Sequence, residues 1–577
     1  MTENKPIHKT VTKSNTLVVV AIDFGTTYSG YAFSFLDKPD KIETNEAWIA
    51  GSAQLMSLKC PTAVLLTPEK EFHSFGFEAE DKFADLAEDD EHHDWYLFRR
   101  FKMSLYSTGK DLQINTTIED IAGKSAPAID IISHSIRFLK KHALETLNLR
   151  TIGIRESEIQ YVMTVPAIWN ERAKQFMRRA ANKAGIPNNF LTLALEPEAA
   201  SIWCQVVTED TPADAELSAN YMVVDLGGGT ADITVHQKMD DGSLKELHKA
   251  SGGAWGGNEV DKAFIEIFKE IIGEKAMEKF IQEEMPNYFD LLREFETKKR
   301  TITTDTAGKI AFKIPACLRE FAESDGESVK QKIANSRFKN IVTWTGDKLR
   351  IEKATVKKLF DVSINKLINH VKELFTEPKL EDVVTVILVG GFGECALVKA
   401  AFKESFPDKR LMIPPRAGLA VLKGAVRFGH FPRMVSRRIS QFTIGREGWP
   451  VFQTHHDPDK QVEVDGILRC KNVFHKMVSI DQEIPILHSH VEETEPIGAE
   501  GMIYLFSSTK QEVKYTTDPD CEALGSLFFK VPESPNKEDR KVAISYMFGE
   551  TEIHVHVRSL KSNEEFEAWF TSFPESE

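Results

Sequence analysis

Two short segments place an aspartate at the tip of an apolar run and follow it at once with glycine and threonine. They are Asp23-Phe24-Gly25-Thr26-Thr27-Tyr28 and Asp225-Leu226-Gly227-Gly228-Gly229-Thr230. Glycine lets a backbone approach a phosphate closely, and the free N–H groups and threonine hydroxyls of such a turn donate hydrogen bonds to it. An aspartate cannot face a phosphate unaided, because like charges repel. A divalent ion, usually Mg²⁺ with its own waters, has to stand between them. One such turn is also what an ordinary hairpin looks like. Two of them, about 200 residues apart, predict a duplicated fold whose halves clamp a polyphosphate. Gly390-Gly391-Phe392-Gly393 adds a glycine turn after an apolar strand, a nucleotide-binding geometry at the carboxyl end of a sheet. Gly252-Gly253-Ala254-Trp255-Gly256-Gly257 leads into a helix from Asn258, whose first N–H groups suit a phosphate; a flexible linker is the alternative.

The elements that must position these groups follow from pattern. Leu17 to Asp23 is a continuous apolar run and predicts a buried strand, with Tyr28 to Phe35 as its hairpin return. Gln160 to Val165 and Leu191 to Leu195 predict further strands, the first broken by Pro166 and the second followed by a helix from Pro197. Helical spacing covers Ile129 to Leu147 and Glu171 to Ala184, with Gly185 as C-cap. Tyr221 to Asp225 and Ala231 to Gln237 flank the second turn as strands; 258 to 303 reads as long helix; Val383 to Val389 is a buried strand running into Gly390. The acidic stretch 78–94 predicts a solvated face or surface loop. Near 440 the texture changes to short β-rich runs (Val473 to Ile480, Gly501 to Ser507, Lys541 to Tyr546, Glu552 to Arg558) separated by turn clusters, a compact all-β module. Within it only Asn563 to Phe570 reads as helix.

Composition narrows the class. The chain has 577 residues, with 72 Lys and Arg against 87 Asp and Glu, a formal charge of -15. That balance lacks the basic signature of a nucleic-acid binder. With 42% hydrophobic residues and 37 Phe, wholesale disorder is excluded. Six cysteines, at 60, 204, 317, 395, 470 and 521, show no metal-ligand spacing and suit a reducing compartment. The polar residues 1–15 carry no apolar signal segment and predict a flexible tail. No run approaches the ~20 apolar residues of a membrane span. The expected location is cytoplasmic, with the nucleus also open.

Taken in order, these motifs resemble the actin–sugar kinase–chaperone ATPase superfamily and, within it, the seventy-kilodalton heat-shock protein family. DFGTTYSG resembles that family's first phosphate loop, VPAIWNERAKQFMRRAANKAGI with LEPEAASI its connecting segment, and VVDLGGGTADIT its second phosphate loop. GGAWGGNEVD, ETKKRTIT and ILVGGFGE resemble its terminal-phosphate loop, adenosine-contacting helix and adenosine loop. The wording is most similar to the divergent twelve-A/twelve-B subgroup. The resemblance implies a two-lobed, actin-like (ribonuclease-H-like) α/β ATPase domain over 16–435, then a smaller β-rich domain over 440–577 in the place of the family's substrate-binding β-sandwich; a long helical lid and an EEVD-type tag, which the family carries, are not expected here. It implies ATP or ADP with Mg²⁺. Asp23 and Asp225 would orient the metal through water, with Glu196 near that shell. Gly25, Thr26, Thr27, Tyr28, Gly227, Gly228, Gly229, Thr230, Gly256 and Gly257 would hold phosphates. Glu296, Lys299, Arg300 and Thr303 would line ribose and adenine, closed by Gly390 and Gly391. Lys102 is the candidate catalytic lysine, Arg100 its alternative, and Asp232 would position the attacking water. Pro166 falls where the family has a proline linked to interdomain switching.

The departures are as specific. Phe392-Gly393-Glu394 stands where the family continues with Ser-Thr-Arg, so an acid replaces the arginine that stacks on adenine. The turn at Pro415-Arg416-Ala417 is altered, and Arg437-Arg438-Ile439-Ser440-Gln441 replaces the family's acidic-leucine linker. Two functions stay open at this point: a weakly hydrolysing, chaperone-like ATPase that binds protein or peptide clients through the β domain, and a nucleotide-gated adaptor that holds a signalling partner. A small-molecule kinase on the same superfamily fold is the remote third, because no acceptor site with a catalytic aspartate is recognisable. Oligomeric state is not legible.

Overall fold

The computed structural model describes residues 15–45, 47–49, 56–107, 111–209, 218–305, 308–464, 466–486, 488–495, 500–531, 534, 536–566 and 568–573. The predicted tail over 1–15 lies almost wholly outside them. In the first lobe the strand Val18–Asp23 is buried along its whole length. It pairs antiparallel with Tyr28–Phe35, Asp23 opposite Gly30, and parallel with Ile159–Val165, which in turn pairs parallel with Leu191–Leu195. The second lobe repeats the plan. Asn220–Leu226 pairs antiparallel with Ala231–Lys238, Asp225 opposite Asp232, and parallel with Thr385–Val389, followed by Arg410–Met412. Each lobe therefore presents one aspartate at the end of a strand sunk in a sheet, the duplicated actin-like arrangement expected above. The helices Glu196–Glu209 and Ala420–His430 pack on each other between the sheets, in a core shared by both lobes. Their approach is set by Gly424, where a Cβ would lie 1.6 Å from the carbonyl oxygen of Ala199.

Most strands fall within a few residues of their predicted bounds; three regions differ. The 258–303 pattern is three helices, Asn258–Ile272, Glu274–Glu283 and Met285–Thr301, parted at Gly273 (φ 93°) and by Pro286 at the start of the third. The acidic stretch does present a solvated face, with Glu78, Asp85 and Glu88 exposed, but on a helix and not a loop: Phe77–Glu88 lays Phe83 beside Met285 and Phe289. Its Glu80 is buried, because Arg99 (2.7 Å) and Arg293 (3.4 Å) neutralise it. The predicted helix Asn563 to Phe570 is strand instead. Glu565–Phe566 pairs with His554–Ser559, and Ala568–Thr571 pairs with Cys521–Lys530. Helical spacing there lost to the sheet edge, where Phe570 packs on the module's core.

Beyond residue 440 two antiparallel sheets, of five and four strands, face each other across Val478, Leu505, Leu527, Val542, Ile544 and Tyr546. Among the described residues of this module the one α-helix is Lys537–Arg540. The module is stitched to the lobes at two places. Val435–Ile439 joins the second lobe's sheet beside Leu244–Gly253, and Glu483–Pro485 then adds to Val435–Ile439. At the other end Phe573 is buried among first-lobe residues against Phe176, an enclosure worth on the order of 2 kcal/mol. Arg178 also pairs with Glu552 (2.5 Å), and Lys174 donates to the Thr551 carbonyl (2.9 Å).

The junction itself is polar and buried. Arg438 holds Glu198 with two hydrogen bonds (2.7 and 2.8 Å) and donates to the Gly549 carbonyl (2.5 Å). Glu246 accepts from the Ile439 N–H (2.7 Å). Burial first, and the Glu198 charge second, raise the Glu246 pKa from 4.5 to about 8, against the pull of that N–H and of Arg438. A raised carboxyl binds a proton in the folded chain that the unfolded chain has released. Its stabilisation is complete below about pH 4.5 and is lost as pH rises through about 8. Glu246→Gln, which is always neutral, should therefore gain melting temperature over the parent protein at pH 8.5 and show a smaller gain at pH 5. Calorimetric scans at the two pH values check this; an equal difference at both counts against it.

Candidate functional site

Between the lobes lies a cavity of about 560 Å³ lined by both glycine turns. Asp23, Gly25, Thr26, Thr27 and Tyr28 enter from the first lobe, and Asp225, Gly227, Gly228, Gly229 and Thr230 from the second. The two turns touch. A Cβ at Gly228 would lie 1.8 Å from Thr27 Oγ1, and one at Gly229 would lie 2.7 Å from Thr26 Oγ1. Only glycine permits this approach. Thr27 Oγ1 in turn donates to Asn258 Oδ1 (3.2 Å), at the start of the helix that follows the Gly252–Gly257 loop. Gly257 lines the cavity. Gly256 does not, and instead seats that loop against the second turn, its N–H reaching the Gly229 carbonyl (3.2 Å).

The other end is lined by Glu296, Lys299, Arg300, Gly390 and Gly391. Glu296 pairs with Lys299 (2.6 Å) and Arg300 (2.7 Å). Burial works against its ionisation, but the two cations outweigh it and hold its pKa at about 2. Arg300 also lies over the Tyr28 ring, 5.6 Å from its centre. Thr303 is not brought to the cavity; it is exposed, past the end of the helix Met285–Thr301. Glu394 does line the cavity and accepts from the Gly418 N–H (3.2 Å). Arg416 also lines it, with a left-handed backbone (φ 55°).

Charge concentrates under the turns. Lys102, 2% exposed, donates to Glu196 Oε1 (2.7 Å), the first residue of the helix Glu196–Glu209, and lies 5.2 Å from the Trp169 ring centre. Arg100, the alternative, is engaged elsewhere: it and Lys299 both pair with Asp261 (2.8 and 2.5 Å). Asp23 accepts from Lys59 (2.6 Å) and from Thr164 Oγ1 (2.9 Å). Burial pushes Asp23 up, but Lys59, Lys102 and Thr164 together bring it below the usual carboxylate value. Glu196 is raised to about 7, by burial first and then by Asp23 and Asp232 against the pull of Lys102. Asp225 is raised well above its usual value by burial and by Glu196, Asp232 and Asp23. Asp232 does not line the cavity. It sits behind Asp225, buried, accepting from the Ile168 N–H (3.2 Å), and burial raises its pKa.

Four buried carboxylates thus face two ammonium groups, and among the described residues no cation pairs with Asp225. Burial holds Asp225 and Asp232 toward their neutral forms, and the hard oxygen donors of Asp23 and Asp225 at the cavity fit one divalent ion of the Mg²⁺ kind. Lys59, Asn258, Asp261, Phe360 and Arg416 escaped sequence reasoning. Lys59 reaches Asp23 because the short strand Cys60–Pro61 pairs with Tyr28 and Ser29, a contact with no local sequence signal.

Comparison with known proteins agrees with this geometry. The Hsp70 protein family matches residues 101–426, more than half of the chain. The chain belongs to the Hsp70 family. Heat shock 70 kDa protein 12B of Homo sapiens is 32% identical over 97% of this chain and 91% of its own length. Heat shock 70 kDa protein 12A of Mus musculus is 34% identical over 93% and 89%. A Chaperone protein HscA homolog of Acinetobacter baumannii (strain SDF) is 25% identical over 54% of this chain and 42% of its own length. The chain is accordingly an ATP-binding, Hsp70-like protein with the actin-like ATPase fold. The family match begins at residue 101, so the first phosphate turn lies outside it, and the fold is what carries Asp23 to the Hsp70 cavity. No helix among the described residues is long and apolar enough to cross a membrane.

Gly228→Val would drive a branched side chain into Thr27 and into the phosphate path. Titration calorimetry with ATP and Mg²⁺ should show no measurable binding to this variant, while its circular dichroism stays that of the parent. Unaltered affinity would remove the phosphate site from this cavity.

Proposed function

We propose that the cavity binds ATP with Mg²⁺ and hydrolyses it slowly, and that nucleotide state governs partner or peptide binding by the C-terminal β module. The observation that carries this is the buried Lys102–Glu196 pair beside two aspartates that converge from separate lobes. In this reading Thr26, Thr27, Gly228 and Gly229 cradle the β- and γ-phosphates. Asp23 and Asp225 hold the ion, which supplies charge neutralisation at the phosphates. Glu196, with a pKa near 7, is matched to accept a proton from water near neutral pH. Lys102 orients it and faces the developing charge, and Asp232, fixed by the Ile168 N–H, steadies the same end. Phosphoryl transfer of this kind rests on positioning and electrostatics, so loss of one cation lowers the rate by orders of magnitude. Coupling has a short route. Glu198, two residues after Glu196 on the same helix, grips Arg438, which donates to the Gly549 carbonyl of the β module. The proposed location is cytoplasmic.

A second reading is a nucleotide-gated adaptor with little or no hydrolysis. Lys59 favours it, since its ammonium already occupies Asp23 Oδ2. Steady-state phosphate release separates the two. For an ATPase, Lys102→Met and Asp225→Asn should each lower the rate about a hundredfold or more, with Lys102→Met still binding ATP. A rate indifferent to Asp225→Asn selects the adaptor.

A further inference from the structure

Just past the end of the helix Phe77–Glu88, and outside the nucleotide cavity, three residues with metal-binding side chains come together. A carboxylate oxygen of Asp90, a ring nitrogen of His92 and a ring nitrogen of His93 all lie within 4.8 Å of one another. The backbone brings them there. The Glu91 N–H reaches back to the Leu86 carbonyl (2.8 Å), Asp90 takes the left-handed conformation (φ 60°), and the 3₁₀ turn His92–Asp94 follows at once. His93 Nε2 meets Asp90 Oδ1 at 2.9 Å, and the two imidazole rings lie 4.2 Å apart, centre to centre. Asp90 and His93 are exposed. His92 is only 9% exposed, and its Nδ1 is enclosed with no hydrogen-bond partner among the described residues. Buried polar atoms are nearly always bonded; this ring keeps its bonding capacity unspent.

The donor set and the field choose the ion. Burial first, and His93 second, hold His92 below its ordinary pKa, against the pull of Asp90. The ring is therefore neutral near pH 7 and has a lone pair for a metal. Imidazole nitrogens favour a borderline transition ion over Mg²⁺ or Ca²⁺, which prefer oxygen. Two imidazoles with one carboxylate also make a three-ligand set that leaves one tetrahedral position to water. Tetrahedral Zn²⁺ holds its ligand atoms about 3.4 Å apart, a contraction that rotation of the exposed Asp90 and His93 side chains supplies. Glu88, Asp89, Glu91 and Asp94 are exposed around the turn and draw cations to it. Lys124 touches the turn, but its ammonium is directed at the carbonyls of His93 (2.9 Å) and Trp95 and at Asp120 (3.8 Å). Among the described residues no lysine or arginine pairs with Asp90. We propose that Asp90, His92 and His93 bind one Zn²⁺ ion, which braces the end of this helix. The brace sits where the helix packs: the His92 ring meets Phe83 edge-on (5.5 Å), and Phe83 lies against Phe289 (6.4 Å) of the helix Met285–Thr301.

The test uses the full chain, purified without a histidine tag and kept in excess MgCl₂ so that sites built of oxygen alone are occupied. Calorimetric titration with ZnCl₂ should show binding that Asp90→Asn with His93→Gln, both at exposed positions, weakens about tenfold or more. Without zinc this double variant should melt where the parent does. His92→Gln should weaken binding as much. CoCl₂ in place of zinc should give the visible absorption of a tetrahedral ion in the parent and not in the variants. ZnCl₂ should raise the melting temperature of the parent and leave that of the double variant unmoved. His455 and His456, whose rings also lie 4.2 Å apart, serve as the control, and replacing both by glutamine should change nothing. Equal zinc affinity and an equal thermal shift in the parent and the double variant overturn the proposal. So does zinc binding that falls only when His455 and His456 are replaced, a site that CaCl₂ fills as well as ZnCl₂, or no zinc binding at all.

Discussion

Four carboxylates buried within reach of one another are an unstable thing to build into a protein interior. Like charges in a medium that screens poorly either take up protons or find cations. Asp23, Glu196, Asp225 and Asp232 do some of each: two lysines meet Asp23 and Glu196, while Asp225 and Asp232 are pushed toward their neutral forms. This arrangement persists only because sheets and helices with their own apolar reasons to fold hold the four strand and helix ends in place. The mismatch between carboxylates and cations is thereby stored in the scaffold.

The scaffold reaches that state through close backbone approaches. Gly228 and Gly229 let one turn rest on the threonines of the other, and Gly424 lets two helices cross at Ala199. Both contacts lie between halves of the chain distant in sequence, and both would be blocked by a single methyl group. Lobe spacing is therefore set by two close approaches, one between the glycine turns and one between the helices at Gly424 and Ala199.

Much of this was legible in the sequence. Both aspartate-tipped hairpins, their parallel neighbours and the β character beyond residue 440 follow from apolar runs and turn residues, because a buried strand ending in a glycine turn is a local pattern. So were most cavity residues, since the turns carry them. Lys59, Asn258 and Arg416 were not, because their place depends on which distant strand or loop lies alongside. Thr303 was expected in the pocket but falls one turn too far along, where the helix has already ended. Glu80 was taken for a solvated acid until Arg99 and Arg293, from different elements, closed around it. Asn563 to Phe570 carries a helical spacing that a sheet edge overrode. In each case the deciding partner is remote in sequence.

The attachment of the β module at both of its ends has a mechanical meaning. One end continues a lobe sheet through Val435–Ile439; at the other, Thr571 accepts from Arg179 (2.8 Å), the Ser572 N–H meets Gln175 (2.6 Å) and Phe573 is inserted beside Phe176. A body moored by a single tether swivels freely, whereas one moored at two separated anchors must release one before it can turn. Any large excursion of the sandwich therefore requires Phe573 to leave its place beside Phe176.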